Sequence, residues 1–257
     1  MDELVETAIG RAIDVMYNQM GERVTLDDMA RAAMFSKFHF SRIFQRATGI
    51  SPARFLSAMR LQEAKRLLLA TSLSVTEISQ RVGYQSMGTF SSRFRNSVGI
   101  SPSTYRRLGG LTIQGCGTTP RPRPTSNRPV NVYGQIGVPH IPAGVGKIFV
   151  GVFPDRLPEG RPVRCTVLHR PGPYEFNDVP LGSWYLLSYS VAADRDPVIS
   201  SPRDFSNGLY IGCHGPITVR PGTNALPADL RLRPMSRLDP PVLLALLDAR
   251  ALQAVAT

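Results

Sequence analysis

The 257 residues are 42% hydrophobic and 19% charged, enough apolar mass for one large or two ordinary packed domains and too much for a disordered chain. No run reaches the roughly 18 apolar residues of a membrane helix, the acidic start Met1-Asp2-Glu3 lacks the bases of a secretory signal, and three cysteines (Cys116, Cys165, Cys213) are too few and odd for a disulfide framework, so a cytoplasmic chain is expected. Of the net charge of +11, residues 1–110 hold +6 and residues 111–130 another +3, a distribution that attracts polyanions such as nucleic acid.

In chain order, Leu4, Ala8, Ala12, Ile13, Met16 and Tyr17 recur at helical spacing and predict one amphipathic helix. A short helix is predicted near Thr25–Ala33 and another near Lys37–Ala47, with Phe40, Phe44 and Ala47 inward. Ser51-Pro52 is a strong helix start, because Ser caps and Pro at the first helical position gives up an N–H that has no partner there. The helix it opens is predicted to run to about Ala70, burying Phe55, Met59, Ala64, Leu67 and Leu68.

The pattern then repeats at an offset of fifty residues. Ser36-Lys37-Phe38-His39-Phe40-Ser41-Arg42-Ile43-Phe44 aligns with Ser86-Met87-Gly88-Thr89-Phe90-Ser91-Ser92-Arg93-Phe94, Gly49-Ile50-Ser51-Pro52 with Gly99-Ile100-Ser101-Pro102, and Phe55 with Tyr105. Such agreement marks a duplicated supersecondary unit of short helix, tight turn and second helix, the helix-turn-helix arrangement.

Residues 111–130, with Thr119-Pro120-Arg121-Pro122-Arg123-Pro124, read as a semi-rigid extended linker. From residue 131 to 257 the chain is punctuated by Gly and Pro. Strands are predicted at Lys147–Phe153, Val163–Leu168, Trp184–Val191 and Ile217–Val219, with Val163, Cys165 and Val167 facing one way and Arg164 and Thr166 the other. The expected product is a small antiparallel β-sandwich that senses an effector or drives assembly, following an all-α double helix-turn-helix domain over residues 1–110. The apolar tail Asp239–Leu247 is expected to cover that sandwich or pack against a partner.

A helix that reads B-DNA needs an apolar face docked on its own domain and a polar face for the base edges of the major groove. Residues 37–46 supply both: Phe40 and Phe44 face inward, while Lys37, Phe38, Ser41, Arg42 and Arg46 lie opposite. Arg42 suits a bidentate pair with guanine, Phe38 a thymine methyl, and Arg46 a phosphate. The second candidate reader offers Met87, Gly88, Ser91, Ser92, Arg93 and Arg95, a chemically poorer set that adds affinity and register more than discrimination. The ordinary alternative for either helix alone is a solvated basic face. Two copies in register favour the reading of DNA.

Residues 25–107 resemble the DNA-binding domain of the AraC/XylS regulators. The resemblance is carried by the segments above together with Arg60-Leu61-Gln62-Glu63-Ala64-Lys65-Arg66-Leu67-Leu68, Val82-Gly83-Tyr84 and Ser103-Thr104-Tyr105-Arg106. It implies seven helices, with a long central helix holding two readers, and a transcription regulator (an activator working with RNA polymerase among them). It puts Phe38, Ser41 and Arg42, and then Met87, Gly88, Ser91 and Ser92, at base-contact positions. One departure stands out: where members often carry Gly in the first turn this chain has Met34, which takes a left-handed conformation only at a cost, so a differently built turn is expected. A central helix from Pro52 to Ala70 would span about 28 Å at about 1.5 Å per residue, close to the roughly 34 Å between successive major-groove faces.

The segment Phe176–Leu186 resembles part of transthyretin-like and carboxypeptidase-regulatory-like β-sandwiches. Cys165, His169, Cys213 and His214 are soft ligands, but their spacing fits no common zinc site. Neither a Ser/His/Asp set nor a phosphate loop stands out, so no enzymatic activity, cofactor or metal is expected. The alternatives to a sequence-specific regulator are an architectural DNA binder and a DNA-binding domain fused to a metal sensor.

Overall fold

A computed structural model describes residues 3–110, 130–138, 145–192, 208–222 and 225–244. The predicted linker therefore lies outside the described residues except for Val130, as does the tail beyond Leu244. Two compact units are present, one helical and one of β-strands.

The helical unit runs α1 (Glu3–Asn18), α2 (Leu26–Ala32), α3 (Lys37–Thr48), α4 (Pro52–Ala70), α5 (Val75–Arg81), α6 (Met87–Val98) and α7 (Pro102–Arg107). Five starts are set by a capping side chain, but Ser51, expected to cap α4, makes no such bond, and Pro52 opens that helix. Thr25 opens α2 and Ser74 opens α5 through capping boxes: Asp28 N–H donates to Thr25 Oγ1 at 3.3 Å and Thr25 N–H to Asp28 Oδ2 at 2.9 Å. The Ser74–Glu77 pair repeats this at 3.2 and 2.7 Å. Ser36 and Ser86 cap α3 and α6 through the amides of His39 and Thr89. Gly49 and Gly99, both left-handed, end them.

The duplication extends to the first helix of each half, but at an offset of forty-nine, because the second turn is one residue longer. Apart from that length, the first turn begins in the same way as the second. Met34 adopts φ 58° where the second copy has Gly83 at φ 84°. Phe35 N–H donates to the Ala30 carbonyl at 3.0 Å, as Tyr84 N–H does to Ser79 at 2.9 Å. The helix-ending hydrogen bonds impose the left-handed residue on Met34, whose side chain is 74% exposed and clashes with nothing.

Each half has its own aromatic core. Phe40, Phe44 and Phe55 pack in sequence, tilted and then edge-on, with centroids 5.4 and 5.4 Å apart, and Phe90, Phe94 and Tyr105 repeat this at 5.7 and 5.6 Å. All six are at most 2% exposed. Between the halves runs α4, buried on most sides through Leu56, Ala58, Met59, Leu61, Ala64, Leu67 and Leu68. Two arginines fasten its surroundings. Arg60 donates to the carbonyls of Met20 (3.1 Å) and Glu22 (2.7 Å), and Arg106 to those of Leu68 (2.9 Å) and Leu73 (2.6 Å). Burial depresses the Arg60 guanidinium pKa below its ordinary value. The last described stretch, Ser236–Leu244, belongs to this helical unit. The tail, expected to cover the sandwich or a partner, thus joins the helices up to that point.

Among the described residues the other unit has nine strands: β1 (Asn131–Gly137), β2 (Val145–Phe153), β3 (Arg164–Leu168), β4 (Pro173–Phe176), β5 (Gly182–Ala192), β6 (Leu209–Val219), β7 (Ala225–Pro227), β8 (Leu230–Arg231) and β9 (Arg233–Pro234). One sheet has the order β3-β2-β5-β6-β9 and is antiparallel. The other is mixed, against expectation: β4 pairs β1 antiparallel, but β7 and β8 return alongside β1 in parallel. Val132, Ile136, Tyr174, Phe176 and Leu230 of the mixed sheet share one buried cluster with Ile148, Val150, Val152, Leu186, Ile217 and Val219 of the antiparallel one. The Tyr174 hydroxyl donates to the Ala228 carbonyl inside it.

All five residues of β3, an edge strand, are half-buried, so its side chains differ little in burial although they point to alternate faces. The strand predicted at Ile217–Val219 reaches back to Leu209. Gly215-Pro216 had hidden its first part, and the register against β5 shifts there, between Trp184 and Leu186.

Candidate nucleic-acid interface

The two candidate readers are α3 and α6, each held against its half by its phenylalanines. On α3, Phe38, Ser41, Arg42, Gln45 and Arg46 fall at i, i+3, i+4, i+7 and i+8, one stripe opposite the buried Phe40, Ile43 and Phe44. All of the stripe is exposed except the half-buried Ser41, and Phe38 keeps 90% of its surface in solvent. On α6 the same register, fifty residues on, brings Gly88, Ser91, Ser92, Arg95 and Asn96 onto one stripe opposite Phe90 and Phe94; Ser91 alone of these is half-buried.

Three of the predicted site residues stand beside the stripes. Lys37 is exposed at the start of α3, where its ammonium meets Asp27 Oδ2 of α2 at 2.6 Å. The exposed Met87 accepts from Thr76 Oγ1 at 3.4 Å through its sulfur. Arg93 occupies the position that Ile43 takes in the first copy, and its Nε donates to Ser57 Oγ of α4 at 3.4 Å. Arg42, Arg46 and Arg95 make no ion pair with a described residue. Sequence reasoning missed Gln45 and Asn96. The signal was present, since Gln45 is seven residues after Phe38 and Asn96 is fifty after Arg46.

A cleft of about 360 Å³ opens beside α3, lined by Ser41, by Ser51, Ser57 and Arg60 of α4's N-terminal half, by Leu26 and Met29 of α2, and by Tyr84 before α6. It offers hydroxyls and amides from the start of a 19-residue helix on an apolar floor. In the β unit, by contrast, Cys165 and Cys213 are separated by three strand spacings of about 4.8 Å. His214 is engaged with the Asp229 carbonyl through Nδ1 at 2.9 Å. Among the described residues no three of His, Cys, Asp and Glu group as metal ligands, and no helix is long and apolar enough to cross a membrane.

Residues 29–108 match the model of a helix-turn-helix domain family. An uncharacterized HTH-type transcriptional regulator of Haemophilus influenzae is 44% identical over 86 residues, 34% of this chain and 29% of that protein. The HTH-type transcriptional activator AarP of Providencia stuartii is 34% identical over 84 residues, 33% of this chain and 62% of AarP. Among solved structures, the DNA-binding domain of AdpA, a global transcriptional factor, in complex with a target DNA is 28% identical. The match covers 42% of this chain and 93% of that one with a TM-score of 0.37. The chain spans 29–39% of the first three curated relatives it matches. The N-terminal unit carries a helix-turn-helix domain similar to those of HTH-type transcriptional regulators.

Proposed function

We propose that the chain is a sequence-specific transcription regulator that reads two successive major-groove segments of one duplex, α3 in the first and α6 in the second. The observation that carries this reading is the identical register of the two exposed stripes on duplicated aromatic frames, joined by one buried helix. In this reading Arg42 pairs with guanine through two hydrogen bonds, Gln45 with adenine, and Phe38 packs on a thymine methyl. Arg46 holds phosphate. The second stripe contributes short side chains, so α6 adds affinity and register more than discrimination. Arg93, Met87 and Lys37 flank the bases. Lys37 exchanges its exposed ion pair, worth at most about 1 kcal/mol, for a phosphate. The cleft beside α3 takes the sugar–phosphate stretch between the two groove segments.

The two β-sheets share one core and serve in this reading as a sandwich-like effector or assembly module, without catalysis. A cytoplasmic setting and recruitment of RNA polymerase follow from the role of an activator. The test is selection of bound fragments from random duplex DNA by the full chain. An enriched motif of two elements roughly 10 bp apart supports two-groove reading. Equal recovery of all sequences points instead to an architectural binder.

A further inference from the structure

Ser236–Leu244 packs into the helical unit although 227 residues separate Arg237 from Gly10, the residue whose carbonyl its guanidinium binds. Two features of the acceptor surface are otherwise unexplained. Gly10 lies inside the 16-residue α1, where glycine costs roughly 0.5–1 kcal/mol against alanine. An added Cβ there would stand 2.9 Å from Arg237 Cζ and 3.0 Å from Nη1, so the missing methyl is the seat of the guanidinium. From that seat Nη2 donates to Gly10 O at 2.7 Å and to Asp14 Oδ1 at 2.8 Å.

Lys65 of α4 is only 2% exposed, a burial that lysine reaches only with partners. Its ammonium donates to the carbonyls of Val242 (3.5 Å) and Leu244 (3.4 Å) and lies 5.8 Å from the ring centroid of Tyr105 on α7. Val242, Leu243 and Leu244 are themselves buried, Leu243 fully. The surface thus recognises an arginine followed, five residues on, by three apolar residues, the first and last of which offer their backbone carbonyls to a lysine.

We infer that Ser236–Leu244 is a peptide ligand carried by the chain itself, a strap whose seating on α1 and α4 is a condition of DNA binding. The strap bears on the readers through α4. That helix carries Lys65 under the strap, Arg60 on the Met20–Glu22 loop, and Ser57 on Arg93 of α6. All the described strands of the β unit, Asn131 to Pro234, lie in sequence between residue 110 and the strap. A ligand or partner that alters the β unit therefore has a covalent route to the readers by drawing the strap out.

The DNA half of this inference rests on the proposed function, and the strap itself does not. The test is a cycle in the full-length chain. Arg237→Ala is expected to speed amide exchange in α1 and α4 by about tenfold or more and to weaken binding to the duplex enriched by the wild-type chain. Gly10→Gln is expected to act likewise in the wild-type background, by evicting Arg237. With Arg237→Ala already present, it should slow exchange in α1, because a good helix former then replaces glycine with nothing to displace. If Gly10→Gln does not fold, Gly10→Ala, whose methyl meets the same guanidinium, takes its place. Gly10→Gln changing exchange in the same direction in both backgrounds overturns the strap. Faster exchange with unchanged DNA affinity overturns its link to the readers. The strap stands, and the DNA-binding reading falls, if the cycle inverts as expected but no duplex is ever enriched.

Discussion

Two left-handed glycines in the helical unit separate the conformational cost of a side chain from the cost of a collision. Gly83 has φ 84° and Gly99 φ 98°, so alanine at either site takes on a left-handed backbone, worth about 1–2 kcal/mol and partly offset by about 0.4–1 kcal/mol of lost unfolded-state freedom. At Gly99 an added Cβ meets nothing within 4 Å, so Gly99→Ala should cost only about 1 kcal/mol. At Gly83 the same atom would lie 2.4 Å from the Met20 carbonyl oxygen and 2.7 Å from the Arg60 guanidinium. Accommodating it means moving the loop between α1 and α2 and breaking the two bonds of Arg60 to Met20 and Glu22. Hydrogen bonds to charged groups are worth about 1.5–3 kcal/mol each, so Gly83→Ala should cost at least about 3 kcal/mol more than Gly99→Ala. Urea unfolding of both full-length variants, followed by helical circular dichroism with the denaturant slope checked for constancy, measures the difference. Equal costs for the two would refute the account of Arg60 as a latch between the loop and the second turn.

Arg42→Ala should weaken binding to the enriched duplex by about 1–3 kcal/mol and relax preference at one position. Arg46→Ala should weaken all sequences alike and flatten the salt dependence; competition with scrambled duplexes distinguishes the two, and uniform loss with Arg42→Ala refutes its assigned role. Phe44→Ala and Phe94→Ala should each destabilise the chain by about 3–5 kcal/mol, since each removes the middle ring of an equivalent triad; a cost below about 1 kcal/mol for either would deny that triad its place as the core of its half. Thr25 holds the Asp28 carboxyl below its ordinary 3.8, and Ser74 holds Glu77 below its ordinary 4.5, each by side-chain and backbone hydrogen bonds. A depressed folded-state pKa stabilises above the unfolded value, so this contribution should be complete above 4.5 and disappear as pH falls through the depressed values. An acid titration of helicity should show a smaller loss over that range for Asp28→Asn with Glu77→Gln than for the wild type, and an unchanged curve would count against the capping boxes.

The helical unit was largely legible in the sequence because what specifies it is short-range. A cap and the amide it binds are three residues apart, the reader stripe repeats at three and four, and the duplication prints the whole device twice. Even the missed Gln45 and Asn96 lay within those spacings. Tertiary structure decided what depends on residues far apart. The parallel return of β7 and β8 beside β1 has no local signature, since a strand carries the same alternation whichever direction its neighbour runs. The uniform half-burial of β3 goes with its place at the sheet edge, which no local pattern announces. Met34 reads as a misfit until the bond from Phe35 to Ala30 is seen to hold the turn in the same form as its glycine counterpart. Lys65 reads as surface on a helix, and Gly10 as a weak point, until Val242 and Leu244 arrive to engage the one and Arg237 to occupy the other. Sequence spacing specifies what a segment does to itself, and only packing reveals which distant segment completes it.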